Sequence, residues 1–352
     1  MSPTRVALFV LLSTTPCTVK SSPSSLNAGS ATWQGRVLND LSGTNVSFSW
    51  EGVSARFSVI DASTISLTAS TSGIGTGTFH TLVDGALISN WTLHGGAISN
   101  ITIATTLSSG KHDIVIWSAT DPIRRSWDTL PRWVNSFHSF YSDGLLTPGP
   151  PLPNRRLRII GDSITAGNQI DNDTCEDDHL GSYGARLCQI FDANCQTLAI
   201  SGKGIFKNCC DNDVTMTELA RRTIVSAPDL LYDDADFQPD AVILALGTND
   251  AGKKNGTAWV ANFSAVYADY LVNLTIVHKN TALPIFCVVG PITHEYYPWV
   301  ENAIAAASAR GVSRATILNW TAAVDRCGHP AWQAHADGAD TFHPIIAAAL
   351  GW

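Results

Sequence analysis

Charge is scarce in this sequence. Only 15% of the 352 residues are Asp, Glu, Lys or Arg, and the formal net charge is −8. No basic stripe is available to neutralise phosphates, so no nucleic-acid partner is expected. The apolar share of 45% argues against disorder, and the length leads us to expect two domains. Long hydrophobic runs are also missing. The run Val6-Ala7-Leu8-Phe9-Val10-Leu11-Leu12 after Arg5 has the size of a signal-peptide core and is too short to span a bilayer. Residues 1–24 therefore read as a signal peptide, with cleavage between Thr14 and Ser25, and no later run reaches membrane-spanning length unbroken. Cysteine is absent between Cys17, which leaves with that segment, and Cys175. The remaining Cys175, Cys188, Cys195, Cys209, Cys210, Cys287 and Cys327 form no paired C-x-x-C pattern, which argues against a zinc site. Cys287 lies in an apolar run and reads as a buried free thiol, while the other six leave their disulfide pairing open.

What is present begins with glycosylation sequons at Asn45, Asn90, Asn100, Asn172, Asn255, Asn262, Asn273 and Asn319. With the signal-like start they point to a secreted glycoprotein. Over residues 30–147 short apolar alternations, such as Val46, Phe48, Trp50 and then Ala55, Phe57, Val59, are separated by Gly, Ser and Asn. Period-two alternation with no helical stretch predicts an all-β sandwich of jelly-roll type. Pro148-Gly149-Pro150-Pro151-Leu152-Pro153 then reads as a stiff linker, over residues 148–156. From residue 157 to the end, apolar runs at 157–160, 197–200, 241–246, 284–289 and 316–318 alternate with helix-like segments. That order predicts a parallel five-stranded sheet between helices, with ligands beyond the carboxyl ends of its strands.

Three short motifs fall where such a sheet would gather them. Gly161-Asp162-Ser163 ends the first run, Gly202 follows the second, and Gly247-Thr248-Asn249-Asp250 follows the third. Near the C-terminus stands Asp340-Thr341-Phe342-His343-Pro344. A serine hydroxyl needs a base to take its proton and preorganised donors for the oxyanion that forms. Ser163 reads as the nucleophile, His343 as the base and Asp340 as the group that orients it. The backbone N–H groups of Ser163 and Gly202 and the Asn249 amide read as the oxyanion hole. The side chains and water suffice for this chemistry, so no cofactor and no metal is expected.

These blocks resemble the SGNH (GDSL-like) hydrolase superfamily, from about Arg156 to the end. The resemblance implies a flavodoxin-like α/β/α sandwich, Ser163, Asp340 and His343 as triad, and Gly202 and Asn249 in the oxyanion hole. The N-terminal half is similar to the jelly roll of family-2 carbohydrate esterases at Gly35-Arg36-Val37, Ser47-Phe48-Ser49-Trp50-Glu51-Gly52 and Phe137-His138-Ser139-Phe140. Asp236-Phe237-Gln238-Pro239-Asp240 extends that resemblance into the second half. Two features depart from it. Family-2 esterases often carry an acid two residues before the histidine, where Thr341 stands here. Only a short segment follows His343, so residues 345–350 read either as a shortened closing helix or as a chain that ends early.

The family-2 resemblance implies removal of O-acetyl groups from plant polysaccharide such as xylan or mannan, through an acyl-enzyme. Tyr296-Tyr297-Pro298-Trp299, at the expected rim, offers rings that could stack on sugars. No long apolar lid is evident, which weighs against a lipase. The expected partner is an acetylated polysaccharide or oligosaccharide, with no membrane partner, and the expected state is a monomer. Two alternatives stay open: a general short-chain esterase or lysophospholipase, and a carbohydrate-binding protein with a degenerate hydrolase domain.

Overall fold

The structure, a computed structural model, describes residues 23–72, 76–121 and 134–352. The expected signal core and Cys17 lie outside the described residues. Among the described residues, twelve strands run up to Pro148: β1 (Ser24–Asn27), β2 (Thr32–Gln34), β3 (Leu38–Asn39), β4 (Val46–Phe48), β5 (Ser54–Ile60), β6 (Ile65–Thr71), β7 (Thr76–Val83), β8 (Ala86–His94), β9 (Ser99–Ala104), β10 (Lys111–Ser118), β11 (Asn135–Ser142) and β12 (Leu145–Pro148). They form two antiparallel sheets, β3-β4-β11-β6-β9 with β1 on β11, and β12-β5-β10-β7-β8 with β2 on β5. The strict alternation along β6, where Ile65, Leu67 and Ala69 are buried, is what a sheet with one packed face requires. Rings from opposite sheets meet between them: Phe57 stacks on Phe140 at 4.4 Å, and Phe79 lies 5.4 Å from Phe137. Burying such rings drives the two sheets together.

The chain leaves β12 at Pro148, which still pairs with Phe57. It re-enters regular structure at Arg155, so the last two residues of the expected linker already belong to a strand. Five parallel strands follow: β13 (Arg155–Gly161), β14 (Ala193–Ala199), β15 (Ala241–Ala245), β16 (Ile285–Val289) and β17 (Ala315–Asn319), in the order β14-β13-β15-β16-β17. The helices are α1 (Ser163–Ala166), α2 (Tyr183–Ile190), α3 (Met216–Leu219), α4 (Thr248–Ala251), α5 (Gly256–Val277), α6 (Tyr297–Ser308) and α7 (Trp332–Leu350). Leu157 and Ile159 of β13 face one core with Tyr183 of α2 and Phe342 of α7, and Ile160 faces the other with Phe263 and Leu271 of α5. Both faces being covered explains the nearly continuous apolar strands. Helix α5 corrects one expectation, because it is long and apolar enough to cross a membrane by composition alone. Its buried Phe263, Tyr267, Tyr270, Leu271 and Leu274 recur every three or four residues and pack as a layer on the sheet.

The two regions are joined by buried polar contacts. The Arg36 guanidinium, 1% exposed, donates to the carbonyls of Ala220 and Arg222 at 2.7 Å each. The Asp121 carboxylate accepts the Ser201 hydroxyl and, at 3.1 Å, the Ser201 N–H. Ser201 directly precedes Gly202, so the N-terminal region braces a loop of the candidate site. Cystines join Cys175 to Cys327, Cys188 to Cys195 and the adjacent Cys209 and Cys210. Cys287 is a buried free thiol on β16, as expected, and burial pushes its pKa up to about 12.

Candidate active site

Ser163 is the first residue of the single-turn helix α1, just past the carboxyl end of β13. Gly161 is required there by close approach: a Cβ on it would lie 2.0 Å from the Thr165 hydroxyl. Asp162 caps the turn through its side chain, which accepts the Ile164 N–H at 3.1 Å. Gly167 closes the turn in the left-handed region, with φ of 72°. The N–H of a first-turn residue such as Ser163 has no partner within its own helix.

Three loops at this rim are tied to one another. Asn249, on α4 past the end of β15, donates from its amide to Lys203 O at 2.9 Å and to Asp162 Oδ2 at 3.1 Å. One side chain thus links the loops after β13, β14 and β15. Gly202 has φ of 78° and accepts the Cys209 N–H through its carbonyl at 2.9 Å. Asp250 holds the following loop, accepting the N–H groups of Ile205, Phe206 and Lys207 at 2.7 to 2.9 Å. Burial raises the Asp162 pKa to about 7 and that of Asp250 to about 6.

The histidine facing the serine is His329. Its Nε2 lies 2.9 Å from Ser163 Oγ, and its Nδ1 lies 2.9 Å from Gln169 Oε1. His329 stands in the loop between β17 and α7, within a turn in which Asp325 accepts the Cys327 N–H at 2.7 Å. Burial lowers the His329 pKa, against the opposing pull of the Asp325 charge.

The expected base and acid lie elsewhere, and this is the main correction. Asp340 and His343 are both inside α7, not in a rim loop. The His343 ring packs 5.0 Å from Phe191, which in turn sits 5.1 Å from Trp352. The Phe191 carbonyl accepts the guanidinium of Arg155, the first residue of β13, at 2.9 Å. His343 therefore belongs to the end of the sheet where β13 begins, and Ser163 to the end where it finishes. A seven-residue strand separates these ends by about 20 Å. Asp340 is exposed on the helix. Residues 345–350 are the last turns of α7, which runs for 19 residues and contains the whole Asp340–His343 block.

A signal for this was present. His335, Gly338, Ala339, Phe342 and Ile346 are buried, and their spacing is that of one helix face. A second His-Pro pair, His329-Pro330, precedes that helix and follows β17. It therefore falls at the rim by the same topology that put Ser163 there. Gln169 carried no comparable signal, because a lone glutamine in a polar loop is unremarkable.

The profile of the GDSL-like Lipase/Acylhydrolase family matches residues 159–347. That span exceeds half of the chain and contains every rim residue described above; the chain belongs to this family. Among curated proteins it is 28% identical over 203 residues to an acetylxylan esterase / glucomannan deacetylase of Cellvibrio japonicus (strain Ueda107). That alignment covers 53% of this chain and 54% of the relative, so the chain spans about half the length of that curated relative. Solved structures that share its fold include two family two carbohydrate esterases. One is a family two carbohydrate esterase from Cellvibrio japonicus, with TM-score 0.81 and 20% identity over 94% of this chain and 99% of that one. The other is a family two carbohydrate esterase from Clostridium thermocellum in complex with cellohexaose, with TM-score 0.80 and 20% identity over 94% and 100%.

Proposed function

We propose that this protein is a secreted serine esterase that removes O-acetyl groups from plant cell-wall polysaccharide through an acetyl-Ser163 intermediate. The observation that carries the reading is the 2.9 Å approach of His329 Nε2 to Ser163 Oγ. Ser163 attacks the acetyl carbonyl while its proton passes to His329, which then delivers it to the departing sugar hydroxyl. Water, deprotonated by the same imidazole, releases acetate and restores Ser163. The oxyanion of each tetrahedral intermediate would be met by the N–H groups of Ser163 and Gly202 and by the Asn249 amide. In the structure both Asn249 N–H groups donate, to Lys203 O and to Asp162, so one of these bonds must yield for the amide to reach the oxyanion. The carbohydrate substrate is supported by the acetylxylan esterase / glucomannan deacetylase relative and by the cellohexaose complex of the Clostridium thermocellum protein. Export is supported by the three cystines, since disulfides persist in oxidising compartments.

Acetate release from acetylated xylan and acetylated glucomannan, compared with hydrolysis of long-chain acyl esters, tests this reading. Polysaccharide deacetylation that vanishes in Ser163→Ala is expected. Preference for long acyl chains would turn the reading toward a lysophospholipase. Full turnover by Ser163→Ala would reject the nucleophile, and absence of any hydrolysis or fluorophosphonate labelling would favour a binding protein.

A further inference from the structure

We propose that the carboxamide of Gln169 is the group that orients His329, in the position where a serine hydrolase would ordinarily use a carboxylate. The proposal rests on the Ser163–His329 reading above and adds a positioning residue to it. Gln169 Oε1 lies 2.9 Å from Nδ1 while Ser163 Oγ lies 2.9 Å from Nε2 of the same ring. An amide oxygen only accepts, so Nδ1 must carry the proton and Nε2 presents its lone pair to the serine. The opposite tautomer would leave the serine facing an N–H, which cannot act as base.

The geometry around Gln169 suits a fixed acceptor. Its backbone is held at φ of 53°, in the left-handed region. Its N–H and the Asn168 amide both donate to Asp177 Oδ1, at 2.9 and 3.0 Å. The loop is tied to the turn of His329 by the Cys175–Cys327 cystine, and Cys327 is two residues from that histidine. Arg326 adds a second tie, donating to the Asn172 carbonyl at 2.5 Å and also to that of Asp173. Acceptor and imidazole are thus clamped together at both sides.

Two carboxylates could compete and neither is bonded to the imidazole, although Asp325 Oδ2 is buried without a hydrogen-bond partner. Asp340 is on the exposed side of α7. Asp325 Oδ1 accepts the Cys327 N–H, and the structure pairs neither of its oxygens with the imidazole. Asp325 acts on His329 through its charge, the Cys327 backbone adds a smaller pull in the same direction, and the nearby His335 is kept neutral by burial. A neutral acceptor on Nδ1 gives an imidazolium less support than a carboxylate does.

The test compares Gln169→Met and Gln169→Glu in the full chain, reading kcat, KM and the pH profile of kcat/KM on an acetyl ester. Met fills a similar volume without an acceptor, and kcat should fall about 10²-fold with KM unchanged. Glu restores an acceptor and adds charge, so kcat should recover and the acidic limb should move up by about one pH unit. Wild-type kcat in Gln169→Met would overturn the proposal. So would a Gln169→Glu variant that neither recovers nor shifts its limb, because a merely structural loop contact predicts that pattern. His329→Asn, assayed in parallel, separates this from the underlying reading: if that variant stays active, the dyad itself has failed. An inactive His329→Asn beside a fully active Gln169→Met sinks only the role of Gln169.

Discussion

The two ends of α7 carry the same dipeptide with opposite fates. His329-Pro330 stands just before the helix, at the rim where the parallel strands end, and its ring faces a serine hydroxyl. His343-Pro344 lies inside the helix, at the base where the strands begin, and its ring faces Phe191. Between them His335 is fully buried, its ring parallel to that of Tyr183 at 6.1 Å. One residue type thus meets the rim, a packed interior and a half-exposed base within residues 329–344. Sequence neighbourhood did not distinguish them; position along the strand axis does.

The largest effect should come from exchanging the fates of the outer pair. His329→Ala removes the proposed base and should lower kcat by about 10⁴-fold or more, as loss of a general base does in serine hydrolases. His343→Ala should leave kcat unchanged. Steady-state hydrolysis of an acetyl ester by the two variants decides this, and equal losses would erase the distinction between rim and base. The pH profile sharpens it. Burial lowers the pKa of His329, and only the neutral ring can accept the serine proton. The acidic limb of kcat/KM should therefore lie below the ordinary histidine value of 6.5.

His335 should give an intermediate effect, on stability and not on chemistry. Burial, with the neighbouring Arg186, lowers its pKa to about 3, so the folded protein keeps it neutral while the unfolded chain protonates near 6.5. Protons then bind preferentially to the unfolded state as pH falls through that interval, and stability is lost there. His335→Gln keeps an acceptor for the Tyr183 N–H, which His335 Nδ1 accepts at 3.1 Å, but does not titrate. The variant should cost about 1–2 kcal/mol near neutral pH from poorer packing. Its deficit should then shrink by about 1 kcal/mol per pH unit below 6. Urea midpoints of both proteins across that range read the difference, in which the other titrating groups cancel. A constant deficit would mean that His335 is not held neutral.

The same contrast shows which parts were legible. The sandwich and the parallel sheet were readable because Ile65, Leu67 and Ala69 alternate, whereas Leu157 to Ile160 run on as a two-sided strand must. The rim positions of Ser163 and Asn249 were readable because each follows a strand end. The glycines beside them are forced by contact, Gly161 by Thr165 and Gly247 by the Tyr296 ring. The partner histidine was misjudged because Asp340-x-x-His343 imitates a familiar block while sitting on a helix whose apolar period continues through it. Gln169 was beyond reach for a different reason. Its role depends on a cystine between Cys175 and Cys327, and composition alone leaves that pairing open.

The smallest effects should come from the base of α7, where they are also most diagnostic. Asp340 is exposed on the helix, and Ala has the higher helix propensity, so Asp340→Ala should change stability by no more than about 0.5 kcal/mol in either direction. His343 is half-buried against Phe191, so His343→Ala should cost about 1 kcal/mol through lost ring contact. The two sites lie on one helix without a mutual bond, and their effects should add in the double variant. A triad would behave otherwise, because groups acting as one unit give losses in rate that are grossly non-additive. Measured together, an additive change in the melting midpoint with wild-type kcat would place both residues in the scaffold. A collapse of kcat in either single variant would instead require this end of the helix to reach Ser163, which the length of β13 forbids in the fold described above.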